Sequence, residues 1–120
     1  MEEVGFEKLD ARKVGMELTD LVYRHARSFP KEEQFGLASQ MRRSASSIPS
    51  NIAEGSSYGP IGNARHLRIA RGSSYELRTQ IEVAQRQGFV KAEDANHLAT
   101  LAKRSSQLIE GLLRSLPTED

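Results

Sequence analysis

One spacing rule governs almost the whole chain. Between residues 67 and 84 the buried-type positions fall at Leu67, Ala70, Ser74, Leu77, Ile81 and Ala84, in alternating steps of three and four. That rhythm places all six on one face of an α-helix and is incompatible with the two-residue period of a strand. The same steps run through Ala11, Val14, Leu18, Leu21 and His25, through Ala38, Met41, Ala45, Ile48 and Ile52, and through Ala95, Leu98, Ala102, Ser105, Ile109, Leu112 and Leu116. No strand-like alternation competes anywhere. The expected fold class is all-α, with helices over approximately residues 10–28, 36–54, 63–87 and 91–116.

The punctuation between the stripes sets the connections. Asp10 is a residue type that caps a helix start, and Asn63 can do the same for the third helix. Pro30 disfavours a helical Phe29 before it, and Lys31 to Gly36 reads as a short polar link. Gly55 suits the position just past a helix end, Ser56 to Gly62 reads as a loop, Gly88 closes the third helix and Pro117 the fourth. Connections of roughly four to eight residues make sequential helices antiparallel neighbours. The expected architecture is a single domain, residues 1–120, folded as an up-down-up-down four-helix bundle with crossing angles near 20°.

Pro49 is the irregularity. It removes a backbone N–H inside the second stripe and crowds the carbonyl of Ala45. A continuous helix kinked at Pro49 is expected, because Ile52 keeps the rhythm beyond it. The rival is a break, with Ser47 capping a short new helix.

Composition limits what such a bundle does. The chain has 120 residues and no cysteine, so disulfides and thiolate metal sites are excluded. The acidic start, Met1-Glu2-Glu3, carries no apolar signal region, and no run approaches the roughly 18 apolar residues of a membrane span. A cytoplasmic protein is expected, with no membrane partner. A di-metal bundle needs inward Glu residues and two Glu-x-x-His motifs. Asp94-Ala-Asn-His97 is one loose approximation without a second copy, and His25, His66 and His97 fall on three different helices. No His–Asp relay serves the serines, and Gly59-Pro-Ile-Gly62 lacks the Gly-Lys-Ser/Thr ending of a phosphate loop. No enzyme activity, cofactor or metal is expected, and no small-molecule substrate is evident.

Charge is local. Between residues 37 and 81 all the cations are arginines (Arg42, Arg43, Arg65, Arg68, Arg71 and Arg78), against only Glu54 and Glu76. Arginine forks suit phosphate, so these six are the candidate nucleic-acid-binding residues. Only Tyr58 and Tyr75 offer nearby stacking groups, which is thin for single-strand binding. The alternative is that arginines pair with carboxylates, Arg42 and Arg71 with Glu54 and Glu76, within the chain or across a subunit contact. A mixed second stripe beside the core favours a subunit contact: Gln40, Ser47 and Glu54 on one helix, Ile69, Glu76 and Val83 on the next. Gly72, in mid-helix, adds to it as a mark of close backbone approach. The bland reading of that stripe is a solvated helix face.

Several segments together resemble one bacterial family, the 23S rRNA intervening-sequence proteins, also called the four-helix-bundle family. Phe6-Glu-Lys-Leu-Asp10 is similar to its opening and Phe29-Pro-Lys-Glu-Glu-Gln-Phe-Gly-Leu37 to its first turn. Met41-Arg-Arg-Ser-Ala45 with Ser47-Ile-Pro-Ser-Asn-Ile-Ala-Glu-Gly55 resembles its most specific motif, and Leu67-Arg-Ile-Ala-Arg-Gly-Ser73 with Glu76-Leu77 its third helix. The resemblance covers roughly residues 6–113. It implies a bundle assembling as a ring-like homopentamer, of unestablished biochemical role. A similar fold occurs in the accessory protein of diversity-generating retroelements, a basic pentamer that works with a reverse transcriptase and RNA. Carried over by position, Arg42, Ser47, Asn51 and Glu54 form a polar seam or subunit interface with Arg68, Arg71 and Glu76. RNA is the implied partner; a structural interaction module whose arginines are used between subunits is the alternative. One departure bears on this: Ser56 to Gly62 is neutral where relatives carry basic residues, and His66 replaces a usual aromatic. That loop offers no cationic arm, which weakens the RNA expectation for this chain.

Overall fold

The computed structural model describes residues 6–117 and consists of four helices: α1 (Phe6–Ala26), α2 (Leu37–Gly55), α3 (Pro60–Arg86) and α4 (Ala92–Ser115). Each packs on its neighbours in sequence, and α1 closes the square against α4, while no Cα atoms of the diagonal pairs α1/α3 and α2/α4 come within 8 Å. The short links make it an antiparallel bundle, 48 × 24 × 22 Å. No strand occurs among the described residues.

The expected stripes form the core, except that in α1 Val22 and Ala26 are fully buried where Leu21 and His25 are expected, and these two are only partly buried. Leu18, Met41, Ile48, Ile52, Leu67, Leu77, Ile81, Leu98 and Ile109 are fully buried, interleaved with alanines at 38, 45, 70, 84 and 102. Each large side chain contributes about 1.5–3 kcal/mol by leaving water, and the alanines let the helices approach closely. Ser74 occupies a core position because its hydroxyl donates to the Ala102 carbonyl of α4, 2.7 Å away.

Helix ends depart from expectation where good capping types are present but unused. α1 is already helical at Phe6, so Asp10 lies inside it, exposed, and caps nothing. Phe6 to Leu9 contains no breaker to delay the helix. α3 starts at Pro60 instead of after Asn63: proline's fixed φ and missing N–H suit the first helical position. The first link contains a 3-10 turn, Lys31–Glu33, and Glu33 Oε1 accepts from the Leu37 N–H at the start of α2. Gly55 is the last residue of α2 itself, and Ser56 follows in a right-handed conformation. Among the described residues the positive φ belongs to Gly88, at 81°. There Phe89 N–H reaches the Ala84 carbonyl and Gly88 N–H the Gln85 carbonyl, both at 2.9 Å, the double bond pattern of a Schellman ending.

α2 runs unbroken through Pro49, which settles the choice against a cap at Ser47. Proline leaves the Ala45 carbonyl without its helical donor, and the Thr19 hydroxyl of α1 supplies one at 3.1 Å, shared with the Gly15 carbonyl at 2.7 Å. Pro49 is buried against Gly15. A Cβ there would sit 3.2 Å from both Ile48 Cγ2 and Pro49 Cδ. The glycine and the proline are thus two halves of one close contact between α1 and α2.

Candidate nucleic-acid and subunit interface

The serines and asparagine of α2 meet α3 through a chain of hydrogen bonds. Asn51 turns its amide nitrogen onto Ser47, donating to the carbonyl at 2.8 Å and to Oγ at 3.0 Å. Ser47 Oγ also accepts from the Ser73 hydroxyl at 2.9 Å. The Asn51 oxygen therefore faces His66 Nδ1, 2.9 Å away. Since that oxygen can only accept, Nδ1 carries the proton, and the neutral ring keeps its lone pair on Nε2. The Tyr58 ring stacks parallel on the imidazole, with centroids 5.2 Å apart, and its hydroxyl donates to Glu54 at 3.4 Å. Ser47, Asn51 and Glu54 thus join one network with His66, Ser73 and Tyr58.

Gly55 lies at the foot of this seam. A Cβ there would fall 2.6 Å from Asn63 Oδ1 and 3.0 Å from His66 Cβ. The glycine serves close approach of α2 to α3, not a left-handed turn. Gly72 is the reverse case: a Cβ on it meets nothing within 4 Å, so the expected close approach is absent within the chain.

The six arginines separate into one and five. Arg42 Nη2 donates to the Gln34 carbonyl at 3.1 Å, Nη1 reaches Gln34 Oε1 at 3.5 Å, and the guanidinium lies 5.9 Å over the Tyr23 ring. Gln34 in turn donates to the carbonyls of Ala26 and Phe29. Arg42 is therefore a clamp on the α1–α2 turn and not the partner of Glu54. Helical phase explains it: Arg42 lies seven residues before Pro49, on the α1 side of α2, whereas Asn51 and Ser47 lie toward α3.

No carboxylate among the described residues forms an ion pair with Arg43, Arg65, Arg68, Arg71 or Arg78. Among the described residues the one such pair is Arg86 with Glu82, at 2.8 Å on the surface of α3. Glu76 does not hold Arg71, and both Glu54 and Glu76 are exposed without a cation. Arg71 and Arg78 flank Tyr75, whose phenol donates to Glu110 of α4. That bond pushes the phenol pKa above its usual 10, with burial and the negative charge of Glu110 adding to the rise, and Arg71 and Arg78 opposing it.

Sequence reasoning left His66 and Ser73 as unassigned polar residues. Their seven-residue separation, one flank away from the α3 stripe, is the signal that both face α2. The described residues contain no group of three or more His, Asp or Glu side chains placed to hold a metal, and none of their helices is long and apolar enough to cross a membrane.

The chain's relationships agree with the four-helix fold. A model of the family described as 23S rRNA-intervening sequence protein matches residues 7–111. A crystal structure of a protein of unknown function from the S23 ribosomal protein family of Bacteroides thetaiotaomicron superposes with a TM-score of 0.85 at 17% identity, covering 92% of this chain and 100% of that one. At that identity the likeness shows the fold. No curated protein matches the chain.

Proposed function

The chain belongs to the 23S rRNA-intervening sequence protein family, and from that premise we propose a self-assembling, non-enzymatic, cytoplasmic bundle that acts as an accessory RNA-binding protein. The observation that carries the RNA reading is the set of five arginines, Arg43, Arg65, Arg68, Arg71 and Arg78, with no carboxylate among the described residues held against any of them. Burying or neutralising that charge falls to another molecule, and a polyphosphate backbone matches the guanidinium fork. Arg65 is exposed away from α4, whereas Arg68, Arg71 and Arg78 lie on the side of α3 that borders α4.

Assembly is supported by where the exposed apolar residues fall. α3 presents Ile61, Ile69, Tyr75 and Val83, and α1 presents Leu9, Met16 and Tyr23 at seven-residue intervals. These helices occupy diagonal corners of the bundle, so the two stripes point in opposite directions. A contact of the α1 stripe of one copy with the α3 stripe of the next is head-to-tail, the interface type that closes rings. The homopentamer implied by the family resemblance is such a ring, and open Gly72 admits a neighbouring backbone.

Binding of a single-stranded RNA fragment, titrated from low to physiological salt, tests the reading. Four phosphate contacts predict a slope of about −3 in log affinity against log salt. Charge reversal at Arg43 and Arg65 is expected to weaken binding at least tenfold. Absence of binding at low salt, or indifference to those reversals, favours the structural module instead. That alternative has its own support: Glu54 and Glu76 also lack cationic partners in their own chain and are free to meet arginines of a neighbouring subunit.

A further inference from the structure

At the end of the bundle where α3 begins and α4 finishes, the two helices part to form a cleft of about 750 Å³. Ile61 and Arg68 come from α3 with Arg71 behind them, and Leu113, Arg114 and Leu116 come from the last turns of α4. Pro60, Ala64 and Pro117 complete the lining, so three of its nine residues are arginines and six are apolar. None of the three arginines is paired with a carboxylate among the described residues. Arg114 has a local reason to be there, since a cation in the last turn suits the negative end of α4. Arg68 and Arg71 have none: they sit in the first half of α3, nearer its positive end.

Such a mixture is unlike a plain phosphate track. No aromatic ring lines the cleft, so it offers no stacking surface for a base. It is also unlike a plain apolar patch, because three like charges repel one another until a counter-charge sits between them. Its volume lies in the range of small-ligand sites, which combine an apolar lining with a few converging polar groups. Ile61 is 70% exposed, far more than an aliphatic side chain needs when a neighbouring surface is available to cover it.

We propose that this cleft binds an anionic amphiphile, with a phosphate or carboxylate head among Arg68, Arg71 and Arg114 and an aliphatic body against Ile61, Leu113 and Leu116. This goes beyond the RNA and assembly reading, and it shares Arg68 and Arg71 with the first and Ile61 with the second. The head group comes either from a free amphiphile or from the surface of an anionic membrane; the chemistry recognised is the same.

Calorimetric titration with decyl phosphate below its micelle concentration tests the site, with inorganic phosphate and decanol as the two half-ligands. Decyl phosphate is expected to bind at least tenfold more tightly than either half. Arg68→Ala with Arg71→Ala should weaken it at least tenfold, and Leu113→Gln several-fold, with helical circular dichroism unchanged in both. Sedimentation with vesicles containing phosphatidic acid, against vesicles of phosphatidylcholine alone, separates the sources. Recovery with the anionic vesicles assigns the head group to a membrane; binding of decyl phosphate without it assigns a free ligand. Equal affinity for decyl phosphate and inorganic phosphate, equal affinity for decyl phosphate and decanol, or no binding overturns the proposal. Leu113→Gln leaves every arginine in place, so RNA binding should survive it, while Arg43→Glu should spare the amphiphile. Failure of one reading is thereby distinguishable from failure of the other.

Discussion

The contact between α1 and α2 and the outer side of α3 use the same residue types to opposite ends. Gly15 lies against Ile48 and Pro49 with no room for a Cβ, whereas Gly72 faces open space. Arg42 is committed to Gln34 and Tyr23, whereas no described carboxylate is held by Arg65, Arg68, Arg71 or Arg78 on α3. The orphaned Ala45 carbonyl of α2 is met by Thr19 from α1. On α3, Ile69 and Val83 stay 46% and 41% exposed. One side of the molecule is finished by folding, and the other is left open among the described residues. The difference lies in what surrounds each residue, which residue type alone does not specify.

A matched pair of substitutions puts the largest strain on that comparison. Gly15→Leu must force Ile48 and Pro49 apart and should cost about 2–3 kcal/mol of stability in urea unfolding. Gly72→Leu, compared at a dilution where subunits are apart, should gain up to about 1 kcal/mol from helix propensity alone. Equal effects would erase the distinction between the two faces.

Next in size is the hydroxyl of Thr19. Thr19→Val leaves the Ala45 carbonyl unpaired and should cost about 1–2 kcal/mol. In a Pro49→Ala background residue 49 has an N–H to give that carbonyl, so the cost should fall by about 1 kcal/mol. A cycle with no coupling would mean that Thr19 does not compensate for the proline.

Smaller still are the free arginines. Arg65→Ala or Arg78→Ala should change unfolding stability by no more than about 0.5 kcal/mol, because neither has a partner to lose. A substantially larger loss for either would show that the outer face is already engaged within the chain.

The most delicate probe is Tyr75. Its phenol pKa is raised by the hydrogen bond to Glu110, so the neutral phenol is the favoured form in the folded chain. Its contribution is therefore fully present below the unfolded value near 10 and is lost as pH rises through the folded value. Ultraviolet titration should show a late-ionising tyrosine, removed by Tyr75→Phe and shifted to lower pH by Glu110→Gln. No change with Glu110→Gln would remove the clasp between α3 and α4.

Legibility in the sequence follows the same division. The stripes were readable because a 3-4 rhythm reports burial directly, and they carried the fold class, the four helices and the core. Helix starts were less so: Asp10 and Asn63 are good capping types, but whether a cap is used depends on what precedes it, and Pro60 took the start of α3. Pro49 announced an orphan carbonyl at Ala45. Its donor, Thr19, lies 26 residues away, and only the register between α1 and α2 reveals it. Ser47 and Asn51 stand out in the sequence, but the partners expected for them, Arg68, Arg71 and Glu76, are not the ones they bond; His66 and Ser73 needed the packing of α3 on α2. The six arginines are alike in sequence; Arg42 differs by its phase on the helix and its neighbour Gln34.

The central claim is that the outer face of α3 is covered by another copy of the chain. Native mass spectrometry at micromolar concentration tests it directly, on the intact protein and on an Ile69→Glu, Val83→Glu variant. The account predicts a species at five times the 13.4 kDa chain mass, collapsing to monomer in the variant. A clean monomer for the unaltered chain, or an assembly indifferent to both substitutions, would contradict it.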